Sequence, residues 1–262
     1  MNTTAKIARF EIKDVVRSRW LIGYALFFLV VTDALLRFGS GEKALLSLVN
    51  VVLFVTPLVT VVFATVYQYN SREFIELLLA QPVRRRQLFG GLYVGLALPV
   101  SLVFVASVAV PVMIHHADNA VKIWTLVALL GTGLALTAVF TAIASLIVAK
   151  VDDRMKGLGL AIVLWLLLAV LYDGVVLLAV TIFADHAIEK PLLGLMVLNP
   201  IDLARVVLLL QFDVSALLGY TGAVMRQFFG GGAGVAVASV ALTSWIAAPL
   251  LLAFRAFDRK DF

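Results

Sequence analysis

Two aspartates interrupt otherwise apolar runs, Asp33 in FFLVVTDALL and Asp173 in AVLYDGVVLL. A carboxylate held in hydrocarbon is costly and faces a cavity or a partner more often than lipid. The pair could therefore line an outward-opening pathway or serve an intramembrane enzyme. It could equally reach the outer headgroup zone, where neither role is needed. Met113, His115 and His116 in MIHHAD, with His186 in FADH, supply thioether and imidazole, which suit copper. Neighbouring His115 and His116 point apart on a helix and converge only in a loop, so polar residues at a short outer turn are the simpler reading and no metal site is expected. A third set lies in NSREFIELLLAQPVRRRQLFGG, residues 70–91, where Arg72, Glu73 and Glu76 precede three consecutive arginines.

Several reaction classes find no residues here. Cysteine is absent, which removes disulfides, thiolate metal sites and a cysteine nucleophile. No G-x-x-x-x-G-K-[ST] occurs, and the glycine cluster GGGAG carries no lysine, so the chain is not expected to bind or hydrolyse ATP itself. G-x-S-x-G and H-E-x-x-H are also missing. No bound cofactor is expected, and energy must come from a partner or an ion gradient.

The elements that position these residues are membrane spans. Hydrophobic residues make up 63% of the 262 and charged residues 14%, too few charges for a soluble exterior. Mean hydropathy is +1.06. Six stretches, near 20–36, 46–68, 88–114, 123–149, 158–183 and 230–254, meet the roughly 20 residues that a helix needs to cross hydrocarbon. Trp20, Trp124, Trp165 and Trp245 read as packing and interface anchors. The first apolar run exceeds a signal peptide's and no A-x-A site follows it, so it is expected to be retained. A pI near 9.6 in a soluble protein would suggest nucleic acid. Here it reflects topology, because fifteen of the lysines and arginines fall on the side of the N-terminus, residues 70–87, the KVDDRMK loop and the tail, against six on the other. Both termini are expected to be cytoplasmic, with no nucleic-acid partner.

Three segments between spans carry further signals. Residues 1–19 read as an interfacial helix with Ala5, Ala8, Ile12, Val15 and Val16 on one arc, Lys6, Arg9, Lys13 and Arg17 on the next, and Phe10 and Arg19 off the pattern. Residues 70–87 predict a helix of about ten residues, capped by Asn70 or Ser71 in a capping box with Glu73 and stopped before Pro82. Its apolar face takes Phe74, Ile75, Leu77, Leu78 and Leu79, leaving Arg72, Glu73 and Glu76 on the other. Such a helix could anchor to anionic lipid, but two exposed carboxylates disfavour lipid alone and favour a protein. The outer segment 184–229 predicts a short helix over 201–211, with Asn199 as N-cap, Pro200 first and Asp202 in the first turn. The glycines after it, Gly219, Gly222 and Gly230 to Gly232, suggest a second short or re-entrant helix.

Six spans, an amphipathic N-terminus and the loop REFIELLLAQPVRRRQLFGG resemble the membrane subunits of type-2 ABC exporters. REFIELLLAQPVRR together with NPIDLARVVLLLQFDVSALLGYTGAV resembles, more narrowly, the permeases that serve nitrous-oxide reductase maturation. The resemblance implies an all-α membrane protein of the bacterial inner membrane that works as a pair with two cytoplasmic ABC ATPase subunits. ATP and Mg would sit on the ATPase. The loop between spans two and three would be the coupling helix, with Arg72, Glu73, Phe74, Glu76, Leu77, Leu78 and Gln81 as its coupling residues. The narrower match implies a periplasmic accessory protein and a role in building a copper–sulfur centre. A drug or lipid exporter, and a membrane scaffold that transports nothing, stay open beside it.

Overall fold

The computed structural model describes residues 3–39, 41–80, 82–115, 123–182, 194–211 and 232–259. The helices are α1 Thr3–Val16, α2 Arg19–Phe38, α3 Gly41–Asn70, α4 Arg72–Leu79, α5 Arg85–His115, α6 Ile123–Lys150, α7 Arg154–Leu166, α8 Tyr172–Ile182, α9 Pro200–Gln211 and α10 Gly232–Asp258. A single π turn, Leu167–Leu171, joins α7 to α8 within one span. Among the described residues six helical stretches are long and apolar enough to cross a membrane: Arg19–Phe38, Lys43–Asn70, Arg85–His115, Ile123–Lys150, Arg154–Ala179 and Ala236–Asp258. The chain is an all-α, multi-pass membrane protein. The expected outer helix after Asp213, with Gly219, Gly222, Gly230 and Gly231, lies outside the described residues.

Inside a bilayer every backbone polar group must be satisfied within the protein, so length and apolarity dictate helices. Their packing is then decided by which faces interlock. α6 lies at the centre, with Leu129, Leu136, Val139, Phe140 and Ala144 buried against α3, α5 and α10. Three of its hydroxyls donate within the helix, Thr137 to Gly133 O at 2.8 Å, Thr141 to Thr137 O at 2.7 Å and Ser145 to Thr141 O at 2.9 Å, and Ser145 also accepts from Gln68 Nε2 of α3 at 3.1 Å. Phe28 of α2 meets Phe104 of α5 edge-on with ring centres 5.3 Å apart, which ties the first span to this core. The outward faces of α2 and α7–α8 remain apolar and exposed, with Leu26, Val30, Val163, Leu171 and Leu178 as examples. That is the pattern lipid requires.

α1 departs from the expected arc. Ile7, Ala8, Glu11 and Val15 are buried, while Ala5 and Val16 are exposed. The reason lies in α5, whose Gly91 and Gly95 lack the Cβ atoms that would overlap Ile7 and the Glu11 side chain. The two helices approach closely along this glycine face, and α1 packs on protein rather than presenting its apolar arc elsewhere.

Candidate functional site

α3 and α4 are nearly one helix bent at a single residue. Asn70 is still the last residue of α3, and Ser71 forms the turn with φ −84° and ψ 4°. The Ser71 hydroxyl donates to Tyr67 O at 3.0 Å, and Ile75 N donates to Ser71 O at 2.9 Å. The expected capping box is therefore absent, because Ser71 is turned back on the preceding helix and its side chain makes no cap bond. α4 is shorter than expected, eight residues from Arg72 to Leu79.

This elbow is gripped from several sides. Arg72 Nε reaches Glu76 Oε1 at 3.3 Å, one turn on, and its guanidinium also reaches the Asp152 carbonyl at 3.4 Å and carboxylate at 3.6 Å. Tyr69 donates to Val151 O at 2.8 Å, resting against Gly157, where a Cβ would overlap its ring. The α6–α7 turn is itself fixed by Asp153, which caps α7 by accepting from Lys156 N at 2.9 Å. Arg85 donates to Asp258 O at 3.1 Å and Arg86 lies 3.3 Å from the Asp258 carboxylate, closing the end of α10 over the start of α5. Both described termini and α4 thus share one end of the bundle.

The side chains of α4 sort into two faces. Ile75 is buried with Ile7, Leu88, Phe89, Leu92, Ala253 and Phe257, and Leu78 and Leu79 pack on that cluster. Phe74 stacks on Phe10 of α1, ring centres 5.1 Å apart and planes 20° apart. Glu73, Glu76 and Leu77 point out, with Leu77 69% exposed. Leu77 was expected on the buried arc. It sits at that arc's edge beside Glu73, and the neighbouring helices cover only the centre. Gln81 lies outside the described residues.

Tyr67, one turn before the elbow, was not anticipated. Its hydroxyl lies 2.7 Å from Glu11 Oε2 and 2.8 Å from Asp14 Oδ2, joining α3 to α1. Glu11 is 2% exposed. Burial pushes its carboxyl above the ordinary range, the Tyr67 hydrogen bond partly offsets this, and the Asp14 charge raises it again. The available signal was Glu11 itself, one turn after Ile7 and one before Val15.

The two span aspartates are not brought together. Asp33 pairs with Arg37 of its own helix at 3.0 Å and lies 3.6 Å from His115 Nε2 of α5. His115 Nδ1 is engaged by Pro111 O at 2.9 Å, while Met113 is exposed. His116 and His186 lie outside the described residues, and no group of three His, Cys, Asp or Glu that could hold a metal ion occurs among the described ones. Asp173 instead meets α9, where Arg205 Nη1 is 2.8 Å from Asp173 Oδ2 and 3.2 Å from Asp202 Oδ1. Asn199 caps α9 by accepting from Ile201 N at 3.0 Å, and its amide donates to Leu168 O at 2.7 Å and to Asp202 Oδ2 at 3.1 Å. The Leu168 carbonyl belongs to the π turn. Asp202 is pushed up to about 7 by burial first and then by Asp173, against the lowering pull of Arg205 and Asn199. A cleft of about 370 Å³ opens beside this lock, lined by Asn50, Phe54, Ala169, Ile201 and Arg205.

Residues 72–262 match a family model described as "ABC-2 family transporter protein". The chain is also similar, over nearly its whole length, to two proteins that share the name "Probable ABC transporter permease protein NosY". With the Stutzerimonas stutzeri protein it is 29% identical over 278 residues, 99% of each chain. With the Pseudomonas aeruginosa protein it is 27% identical over 271 residues, 97% of each.

Proposed function

This chain belongs to the ABC-2 family of transporter proteins, and on that premise we propose that it is the permease of an inner-membrane transporter whose α4 is the coupling helix. An ABC permease works with an ATPase. In this reading the elbow end is cytoplasmic, both termini with it, and two copies of the chain pair with two ATPase subunits that hold the ATP and magnesium. One observation carries the reading: α4 is clamped to α1, α5, α10 and the α6–α7 turn, yet leaves Glu73, Glu76 and Leu77 exposed in a row. A rigidly seated helix with an acidic outer face and one bare leucine transmits force from a basic, partly apolar groove. Reversing both charges, Glu73→Lys with Glu76→Lys, is expected to abolish permease-stimulated ATP hydrolysis and co-purification with the ATPase. Retention of both would refute the coupling role.

The finer reading is a part in assembling the copper–sulfur centre of periplasmic nitrous-oxide reductase. It is supported by the two stretches REFIELLLAQPVRR and NPIDLARVVLLLQFDVSALLGYTGAV and by the similarity to the two NosY permeases. Residues 184–229 would then dock a periplasmic accessory protein. Deleting the gene is expected to leave the reductase without its copper–sulfur centre and drug tolerance unchanged. The opposite pattern would point to an exporter of drugs or lipids, and a permease that purifies without any ATPase would point to a scaffold.

A further inference from the structure

Three oxygen-bearing groups, Glu11, Tyr67 and Asp14, meet at hydrogen-bond distance, and a phenol has one proton to donate. If both carboxyls were ionised, one of the two short contacts would set a carboxylate against the lone pairs of the phenol oxygen. A second proton gives each of the two contacts a donor of its own. Glu11 is where that proton belongs, because Glu11 is buried and Asp14 is exposed. The protonated Glu11 donates to the Tyr67 oxygen, and Tyr67 donates to Asp14, in one directed chain.

No cation offers an alternative. α1 packs on α5 and also contacts α2. α5 meets Glu11 with Gly95; its Arg85 and Arg86 are engaged at the end of α10, its Tyr93 donates to Ala138 O, and its His115 is held by Pro111 O and Asp33 at the far end. α3 contributes Tyr67, and α1 itself contributes Asp14. Among the described residues no lysine or arginine lies within ion-pair distance of Glu11. The raised affinity of Glu11 for its proton agrees with this count.

We infer that Glu11 and Asp14 are positioning residues for coupling: through the Tyr67 hydroxyl, Glu11 in its protonated form clasps α1 to the elbow, so that α1 and α4 move as one body. The inference rests on the reading of α4 as the coupling helix. Two contacts made by consecutive residues of α1 define the clasp, Phe10 on Phe74 and Glu11 on Tyr67, and they bracket the Ser71 bend from both sides. A displacement of α4 cannot hinge freely at Ser71 while both hold. It must carry α1, and with it the Gly91–Gly95 face of α5.

The sign of the pH effect follows. A carboxyl whose affinity for its proton is raised in the folded state supports that state at low pH and stops doing so as pH rises through its titration. The clasp is closed while Glu11 keeps its proton and opens as rising pH ionises it. Glu11→Gln mimics the protonated acid permanently, since its amide can donate to the Tyr67 oxygen.

The test reconstitutes the complete permease with its ATPase and measures permease-stimulated ATP hydrolysis across pH. For the natural protein stimulation should fall by about fivefold or more on going alkaline, the scale of a modest coupling energy. Glu11→Gln should keep it nearly flat, and Tyr67→Phe should lower it at every pH. A natural profile that coincides with Glu11→Gln, or full stimulation in Tyr67→Phe, overturns the inference. The Glu73→Lys/Glu76→Lys variant separates the two claims: if it loses stimulation while Tyr67→Phe keeps it, coupling through α4 stands and the clasp falls. If it keeps stimulation, the coupling reading itself falls. Because the chain has no cysteine, a Phe10→Cys/Phe74→Cys pair gives a fold-independent check. Cross-linking α1 to α4 should preserve stimulated hydrolysis, and its loss on cross-linking would show that the two helices must separate.

Discussion

At the elbow, Glu11 and Asp14 meet across the Tyr67 hydroxyl; beside α9, Asp173 and Asp202 meet across the Arg205 guanidinium. Both sites bring two carboxyl groups onto one side chain: Tyr67 reaches both acids from another helix, while Arg205 holds Asp202 of its own helix and Asp173 of α8. The first is balanced by a neutral donor and therefore needs a proton, whereas the second is balanced by a permanent cation. The difference sets how firmly each can hold. A guanidinium held by two acids, with the buried Asn199 tying one of them to a π-turn carbonyl, is a lock that the loss of the Asp202 proton weakens without removing its cation. A clasp made of carboxyls and a phenol can be opened by losing one proton.

The comparison is broken most severely at Arg205. Arg205→Ala leaves two neighbouring carboxylates without their cation, and breaking such a pair in a buried setting is destabilising by several kcal/mol. The Asp173 and Arg205 side chains keep 40% and 33% of their exposure, so about 3 kcal/mol is expected rather than more. Thermal unfolding in detergent would show it. Adding Asp173→Asn and Asp202→Asn to the same chain should restore much of the loss by removing the repulsion, and failure to do so would mean that Arg205 acts by packing alone.

Asn199→Ala comes next. It deletes the α9 cap, at about 1 kcal/mol, and the bond from the Asn199 amide to the Leu168 carbonyl, at about 1 kcal/mol more. An α9 that becomes protease-sensitive while the six spans stay folded would show that this cap holds the outer helix rather than the whole molecule. Asp202 supplies the smaller, pH-dependent counterpart. The folded protein holds more protons here than the unfolded chain, so the contribution is complete below the ordinary carboxylate range and is lost as pH rises through about 7. Between about pH 6 and about pH 8 the loss should be on the order of 1 kcal/mol, and Asp202→Asn should remove that slope.

The sequence announces the parts of this molecule that are local. Six apolar runs have no other low-energy arrangement in a membrane, and Asn199, Pro200 and Asp202 start α9 by short-range chemistry that works in any context. The partner of Asp173 was illegible because Arg205 stands 32 residues away, and only the packing of α9 on the π turn brings them together. Glu11 is illegible for a related reason. An acid between Ile7 and Val15 looks like a flaw in an amphipathic arc until Gly95 is seen to make room for it and Tyr67, 56 residues on, to satisfy it. Leu77 failed at finer grain: a helical wheel gives an angle, but how far the neighbours reach around a helix decides whether that angle is covered.

Phe10→Ala is the mildest and most discriminating change, because it touches the elbow end without altering a single charge. The Phe10 ring is 55% exposed and stacks on Phe74, an arrangement worth about 0.5 to 1 kcal/mol. Stability should barely move, since the ring contributes little buried area. Coupling should move more, because the stack is the only direct aromatic contact between α1 and α4 among the described residues, and removing it leaves α1 on the α4 side of the Ser71 bend with the Ile7–Ile75 packing alone. The comparison with Tyr67→Phe then becomes quantitative. Two contacts acting on one rigid body should lose less together than the sum of their separate losses in stimulated hydrolysis, whereas independent supports should add. A sub-additive double variant would place α1, the elbow and α4 in a single moving unit, and strict additivity would dissolve it into two unrelated contacts.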